Sequence, residues 1–303
     1  MNDEQNIIIE LVESLKNVDS VQSVIRYNIE DKAVPATKES FWNYLVLSLL
    51  TSQQRSTQGG PVDLFEKKIP FPLALQTYES MNDEEVLAIL KHFRFGKPIT
   101  GYLRINYFRL FGKNDLWSKI KAQLDRLLEQ RNTPPSLIHK DLERNASHIL
   151  ADNLKGIGPK QSRNLLQWLG LTRYETPLDS RVVGWLGDNL NWNIFIESLQ
   201  DGKEYEFWLD RLQSVCDSAG VLPAVFDAAA FEKGSEKPTP QNRTTRIGYV
   251  NKNGQVVVRN TRKLSTDNSQ VVFQLGCSHC GDHYEVNGSD IFERKCVVCQ
   301  GER

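Results

Sequence analysis

Residues 154–169 read LKGIGPKQSRNLLQWL, and this run restricts the local fold more than any other. Gly156 and Gly158 flank a single residue, so the backbone can turn in a way that residues with a Cβ resist. Pro159 has a fixed φ and no amide hydrogen, which suits the first turn of a helix. The residues before the glycines, ERNASHILADN, also carry a helical pattern. Two helices joined by a short glycine-rich hairpin are therefore expected. The free N–H groups of such a hairpin, with the N-terminus of its second helix, form a seat for a phosphate. That contact positions a protein on a strand without reading its sequence.

Apart from this run, the first 232 residues read as helix after helix, and 40% of the chain is hydrophobic, enough for a substantial core. KESFWNYLVLSLLTSQQ, residues 38–54, is apolar enough to be a central buried helix. NDEEVLAILKHF opens on Asn82, a good N-cap followed by an acidic first turn. NDLWSKIKAQLDRLLEQ and EYEFWLDRLQSVCDSAG are amphipathic, and PAVFDAAAFEKG has proline at its start and glycine at its end. Trp42, Tyr44, Phe93, Phe95 and Trp185 fall at the spacing of core positions. The composition changes at KGSEKPTPQN, residues 233–242, which reads as a linker. RIGYV, QVVVRN and QVVFQL follow as three short β-branched runs, the first two separated by the turn NKNG. The expected organisation is a helical domain over 1–235, a linker over 236–242 and a β-rich domain over 243–303.

Nineteen positions after Lys160 stands Asp179, in ETPLDSRVVGWL, where a helix is expected to begin with the aspartate as its N-cap. The separation is about one helix and a return loop, which can bring an amine and a carboxylate to one cleft.

LKGIGPK followed by TPLDS resembles the helix-hairpin-helix, Gly/Pro-Asp superfamily of DNA glycosylases, which includes endonuclease III and 8-oxoguanine DNA glycosylase. The specific part of the likeness runs from Leu154 to Trp185. It implies a mainly α, two-lobed fold, with Lys160 and Asp179 as a catalytic pair and Gly156 and Gly158 in the DNA-binding hairpin. LLTSQQRS, residues 49–56, resembles the helix end from which family members place a polar residue into the gap left by a flipped base. Gln53 is the first candidate for that role and Gln54 the second. The resemblance further implies that Asp179 assists loss of the base. Lys160, as a free amine, would attack C1′, and the Schiff base so formed would permit strand nicking by β-elimination. Lysine forms imines with sugar aldehydes, and its ordinary pKa of about 10.4 means that the site must favour the neutral form.

Three features depart from the family. No iron–sulfur loop of four cysteines follows the fold, so no such cluster is expected. Arg181 stands where many members have histidine; on a helix start it could contact phosphate. Residues 59–72 read as a longer loop than the simplest members have.

Cys277, Cys280, Cys296 and Cys299 form two C-x2-C pairs fifteen residues apart. That spacing fits a tetrahedral four-thiolate zinc site, and four thiolates leave no position for a reacting water, so the expected zinc is structural. His279 and His283 are read as solvent-facing. Before the cysteines, Arg243, Arg246, Lys252, Arg259, Arg262 and Lys263 occur with no acidic residue between them. This stretch is expected to contact DNA phosphates, since the chain as a whole, at net charge -1, is not basic.

The start MNDEQN is no secretory signal and no apolar run is long enough to span a bilayer, so a cytoplasmic monomer acting on duplex DNA is expected. Two alternatives stand beside the glycosylase with lyase activity. One is a glycosylase in which Asp179 activates water and Lys160 holds phosphate; the other is a DNA-binding protein without catalysis. An oxidised purine is the expected substrate, with a pyrimidine lesion or an invader's modified base (a role in phage defence) as the other choices.

Overall fold

A computed structural model describes residues 3–30, 36–54, 59–113, 115–131, 137–236, 243–245, 248–265 and 271–301. Two compact units result, Met1–Gly234 and Ser235–Arg303. Among the described residues the first consists of helices, and the second holds three antiparallel strands.

The helical unit has two hydrophobic cores. Helix α3 (Lys38–Thr51) runs through the first, and Phe41, Trp42, Leu45, Val46, Leu49 and Leu50 are all inaccessible to solvent. A helix apolar on every side belongs in a core, as the sequence of this segment requires. Thr37 caps α3 and exchanges hydrogen bonds with Ser40. Around it pack α7 (Pro98–Phe111), α8 (Leu116–Gln130), α9 (Leu137–Asn153) and α10 (Pro159–Trp168). The second core joins α11 (Ser180–Leu190), α12 (Gly202–Ala219) and α13 (Pro223–Glu236) to α1 (Asp3–Leu15). The start of the chain thus completes a lobe built mainly from its later helices. Consecutive helices α10 and α11 lie in different lobes, so the link between them, residues 169–179, crosses from one core to the other. No single helix among the described residues is long and apolar enough to cross a membrane.

Details of the sequence reading change at three places. Residues 59–72 contain a helix, α4 (Pro61–Glu66), with Pro61 at its first position. The last helix does not stop at Gly234 but continues to Glu236. Gly234 marks a close approach instead: a Cβ there would lie 2.9 Å from Cβ of Arg181, so a larger residue would push α13 off the start of α11. Phe93 and Tyr44 are only partly buried, unlike Trp42, Phe95 and Trp185.

The hairpin between α9 and α10 is braced from inside. Gly156 has φ +82°, and a Cβ would meet Tyr102 Cδ2 at 2.6 Å. The inaccessible side chain of Asn106 receives the Lys155 N–H at 2.7 Å and donates to the Lys155 carbonyl at 2.9 Å. Gly156→Ala is therefore expected to destabilise the helical unit by about 2 kcal/mol or more. A left-handed backbone alone costs about 1–2 kcal/mol for a residue with a Cβ, before the Tyr102 ring has to move. Urea unfolding of the variant checks this.

In the smaller unit, β1 (Gln255–Leu264), β2 (Val271–Cys277) and β3 (His283–Asn287) form one sheet in that order. Of the run RIGYV, Arg246 and Ile247 lie outside the described residues, and Val250 makes a single bridge to Val256 instead of a strand. Asn251 builds the turn before β1, its Oδ1 receiving the N–H groups of Asn253 and Gln255. Strand β3 was not expected; its alternation is short, with one buried side chain, Val286. The buried apolar core is Val257, Phe273, Leu275, Val286 and Ile291.

Candidate active site

A cleft of about 670 Å³ opens between the lobes of the helical unit. Its walls come from both cores and from the segment after α1. Helix α2 (Asp19–Ile25) runs into a π-helical turn, Arg26–Glu30, that sets Tyr27 and Asn28 at the cleft. Tyr44 from α3 and Trp168 from α10 add aromatic surface, their rings 6.3 Å apart. Lys160 and Asp179 both line this cleft, with Arg181, Asp227 and Phe231.

Lys160 occupies the second position of α10, directly after Gly158 and Pro159. A positive charge there faces the positive end of the helix dipole. Burial holds the Lys160 ammonium below its usual pKa, and the Arg181 charge acts in the same sense. The charges of Asp179 and Asp227 oppose that shift without cancelling it.

Asp179 is the N-cap of α11, as the sequence suggests. Its Oδ1 accepts the N–H groups of Arg181 at 2.8 Å and Val182 at 3.0 Å. Oδ2 makes no hydrogen bond among the described residues. One carboxylate oxygen thus holds the helix and the other is available to a ligand. Arg181 lies over the Phe231 ring, its guanidinium carbon 4.0 Å from the centroid. Its expected phosphate contact would have to coexist with that packing.

The segment before Asp179 is fixed by a buried polar network. Glu143 accepts the backbone N–H groups of Arg173, Tyr174 and Glu175 at 2.8, 2.8 and 2.9 Å. Glu175, itself inaccessible, accepts from Arg163 at 2.8 Å and Arg144 at 2.9 Å. The inaccessible Tyr205 hydroxyl receives the Leu178 N–H at 2.7 Å and donates to the Thr176 carbonyl at 3.2 Å. Removing the hydroxyl leaves a buried N–H without a partner, which costs about 1–3 kcal/mol. Tyr205→Phe is expected to lower the unfolding free energy by that amount, measured by chemical denaturation.

Asp227, on α13, was not singled out in the sequence, where DAAAFEKG reads as an ordinary helix. Its carboxyl is buried and accepts Gln167 Nε2 at 2.7 Å. Burial first, and then the charge of Asp179, push its pKa up to about 7. No local motif marks this residue; only the meeting of the two lobes at the cleft brings it near Lys160 and Asp179.

Gln53 and Gln54 lie beyond the end of α3. Gln53 Oε1 accepts the Gly96 N–H at 2.9 Å, and Gln54 Nε2 donates to the Arg94 carbonyl at 2.7 Å. Entry of either side chain into a duplex would require release of these bonds.

In the smaller unit, Cys277, Cys280, Cys296 and Cys299 place their sulfurs within 4.8 Å of one another. The Cys277–Cys299 and Cys280–Cys296 pairs lie at 3.6 and 3.5 Å, far beyond a disulfide bond. Metal–sulfur bonds of about 2.3 Å in a tetrahedron put sulfurs roughly 3.8 Å apart, so the cluster fits one metal ion. The His279 N–H also points to Cys277 Sγ at 3.4 Å, the kind of contact that supports a metal-bound thiolate. His279 and His283 are exposed.

The basic stretch of this unit is less positive in space than in sequence. Lys252 pairs with Glu293 at 2.5 Å and Lys263 with Glu285 at 2.9 Å, bringing acidic partners from later in the chain. Arg259 is exposed. Arg246, together with the side chains of Arg243 and Arg262, lies outside the described residues.

A two-lobed helical unit, with a glycine hairpin beside an interlobe cleft and a capping aspartate facing a lysine, has the fold of the helix-hairpin-helix Gly/Pro-Asp DNA glycosylases. Among solved structures, the chain is similar to 8-oxoguanine DNA glycosylase of Methanocaldococcus jannaschii, with 18% identity and a TM-score of 0.54 over 76% of this chain and 94% of that one. It is also similar to the Methanocaldococcus jannaschii 8-oxoguanine glycosylase/lyase in complex with a 15mer DNA containing 8-oxoguanine, with 17% identity and a TM-score of 0.55 over 76% and 97%. At such identities the likeness establishes the fold. No family model matches the chain. No curated protein matches it by sequence.

Proposed function

We propose that the helical unit is a DNA glycosylase with an associated lyase activity, in which Lys160 is the nucleophile and Asp179 assists departure of the base. The observation that carries this reading is one cleft holding an amine whose pKa is lowered by burial and a carboxylate with an oxygen free for a ligand. A base within a duplex shields its sugar C1′, so the nucleotide must be flipped into the cleft, at a cost of a few kcal/mol. The hairpin at Gly156 and Gly158 holds the strand by a phosphate while this happens. Asp179 Oδ2 stabilises positive character on the sugar. Lys160 Nζ bonds to C1′, and the resulting imine allows elimination of the 3′ phosphate. An 8-oxoguanine base is the first candidate substrate, supported by the activity named for the Methanocaldococcus jannaschii proteins.

The smaller unit is proposed as a zinc ribbon with Cys277, Cys280, Cys296 and Cys299 as ligands. Bound zinc would supply cross-linking of the fold and no chemistry on DNA. Within the basic stretch, Arg259 is the described cation best placed for a phosphate contact, since Lys252 and Lys263 are ion-paired.

A second reading keeps the fold and omits the lyase. Its support is that two carboxylates, Asp179 and Asp227, favour the charged form of Lys160. In that case Lys160 holds phosphate and Asp179 activates water. Incubation with duplexes bearing oxidised purines, oxidised pyrimidines or an abasic site, with borohydride present, separates the readings. A trapped covalent adduct supports the lyase, and base release without an adduct supports the water-using enzyme. If neither occurs on any duplex, the substrate is a modified base outside this panel or the chain binds DNA without catalysis.

A further inference from the structure

The proposed reaction needs Lys160 as a free amine and a proton for the departing base, and neither Lys160 nor Asp179 supplies both. Resting on that function, we propose that Asp227 accepts the ammonium proton of Lys160 before attack and returns it to the base as it leaves.

The placement is specific. Asp227 lies on α13, in the second lobe, yet its carboxyl lines the same cleft as Lys160 and Asp179. One oxygen is held by Gln167 Nε2 at 2.7 Å, from the far end of the helix whose second residue is Lys160. That bond fixes the carboxyl against α10, and Oδ1 makes no hydrogen bond among the described residues. The groups facing it are Lys160 and Gln167 from α10, Asp179 and Arg181 from the start of α11, and the Tyr205 hydroxyl from α12; Glu232 lies on its own helix at the cleft edge. Asp179 already spends one oxygen on its helix cap, which suits it to a fixed charge. Asp227 caps nothing.

The acid–base balance agrees with the placement. Burial raises the Asp227 carboxyl to about 7 and lowers the Lys160 ammonium, so the two affinities for a proton move toward each other. Transfer between them is less uphill than between ordinary groups, and a general base is most effective with a pKa near the working pH.

The steps balance. The proton passes from Lys160 Nζ through one water in the cleft to Asp227, leaving a neutral amine and a neutral acid. The nitrogen lone pair forms the Nζ–C1′ bond while the glycosidic C1′–N bond breaks, its electron pair going to the base. The base takes the proton from Asp227. A substituted ammonium on Lys160, a neutral free base and the Asp227 carboxylate remain.

The test is single-turnover base release and borohydride trapping between pH 5 and 9 for wild type, Asp227→Asn and Asp227→Glu. Asparagine keeps the volume and can still accept the Gln167 hydrogen bond. Wild type should show an acidic limb with an apparent pKa near 7. In Asp227→Asn that limb should vanish and base release fall by about 100-fold, the low end for loss of a general acid–base group. Asp227→Glu should restore part of the rate and the limb. An active wild type whose rate and pH profile survive in Asp227→Asn overturns the proposal and leaves the glycosylase reading intact. An inactive wild type overturns the glycosylase reading itself. Should Asp227→Asn fail to fold, the wild-type protein still decides: after reductive ¹³C-methylation, the Lys160 methyl resonance must report the titration of the neighbouring Asp227 carboxyl as an inflection near pH 7, and its absence overturns the proposal.

Discussion

Lys160→Gln is expected to abolish the covalent adduct formed with abasic DNA under borohydride, with no residual fraction at any pH between 5 and 9. A glutamine amide cannot form an imine, and among the described residues no other lysine lines the cleft. DNA affinity should change little, because the proposed phosphate seat is made of backbone N–H groups at the hairpin. Asp179→Asn is the complementary variant. Asparagine is as good an N-cap as aspartate, so α11 keeps its first turn while the charge disappears. Base release should fall by about 100-fold or more, as expected when a group that stabilises charge is removed from a buried site. Gel-resolved adduct and free base, quantified for both variants, check the pair. An adduct that persists in Lys160→Gln would assign the nucleophile to another residue.

Removal of metal should produce a second large effect, confined to one part of the chain. Among its described residues the smaller unit has a core cluster of five buried apolar side chains, too few to offset the conformational entropy of a domain this size. A structural zinc site supplies about 10 kcal/mol or more to folding in comparable modules. A strong chelator, or Cys296→Ser, is therefore expected to unfold residues 243–303 while the helical unit keeps its own transition. Hydrogen exchange resolved by peptide reads both units at once. Protection of β1 and β2 should collapse, and that of α3 and α12 should not. Full retention of the β1 and β2 protection after chelation would mean that the four thiols do not hold the fold together.

Much of this architecture could be read from local chemistry. The helix α3 is apolar all round and can only be interior. Asn82 and Asp179 announce their helices by capping, a bond made within three residues of sequence. The four cysteines carry their arrangement in their spacing. What escaped was whatever depends on distant partners. Asp227 looks like any helical aspartate until the two lobes meet and Gln167 is bonded to it. The basic stretch at 252–263 loses part of its charge only when the fold brings Glu285, on β3, and Glu293, in a later turn, beside it. Strand β3 has too little alternation to reveal itself without its neighbour. Gln53 and Gln54 stand where the pattern places a wedge, yet the structure ties both to residues 94–96, forty positions later.

The bracing of the hairpin by Asn106 and Tyr102 carries a consequence for how quickly this protein can take hold of a strand. Its amides are aimed before any ligand arrives, so encounter requires alignment of two partners and no ordering of a loop. Association should then be limited by orientation, with rate constants of about 10⁵–10⁷ M⁻¹s⁻¹, and differences among DNA substrates should emerge in dissociation.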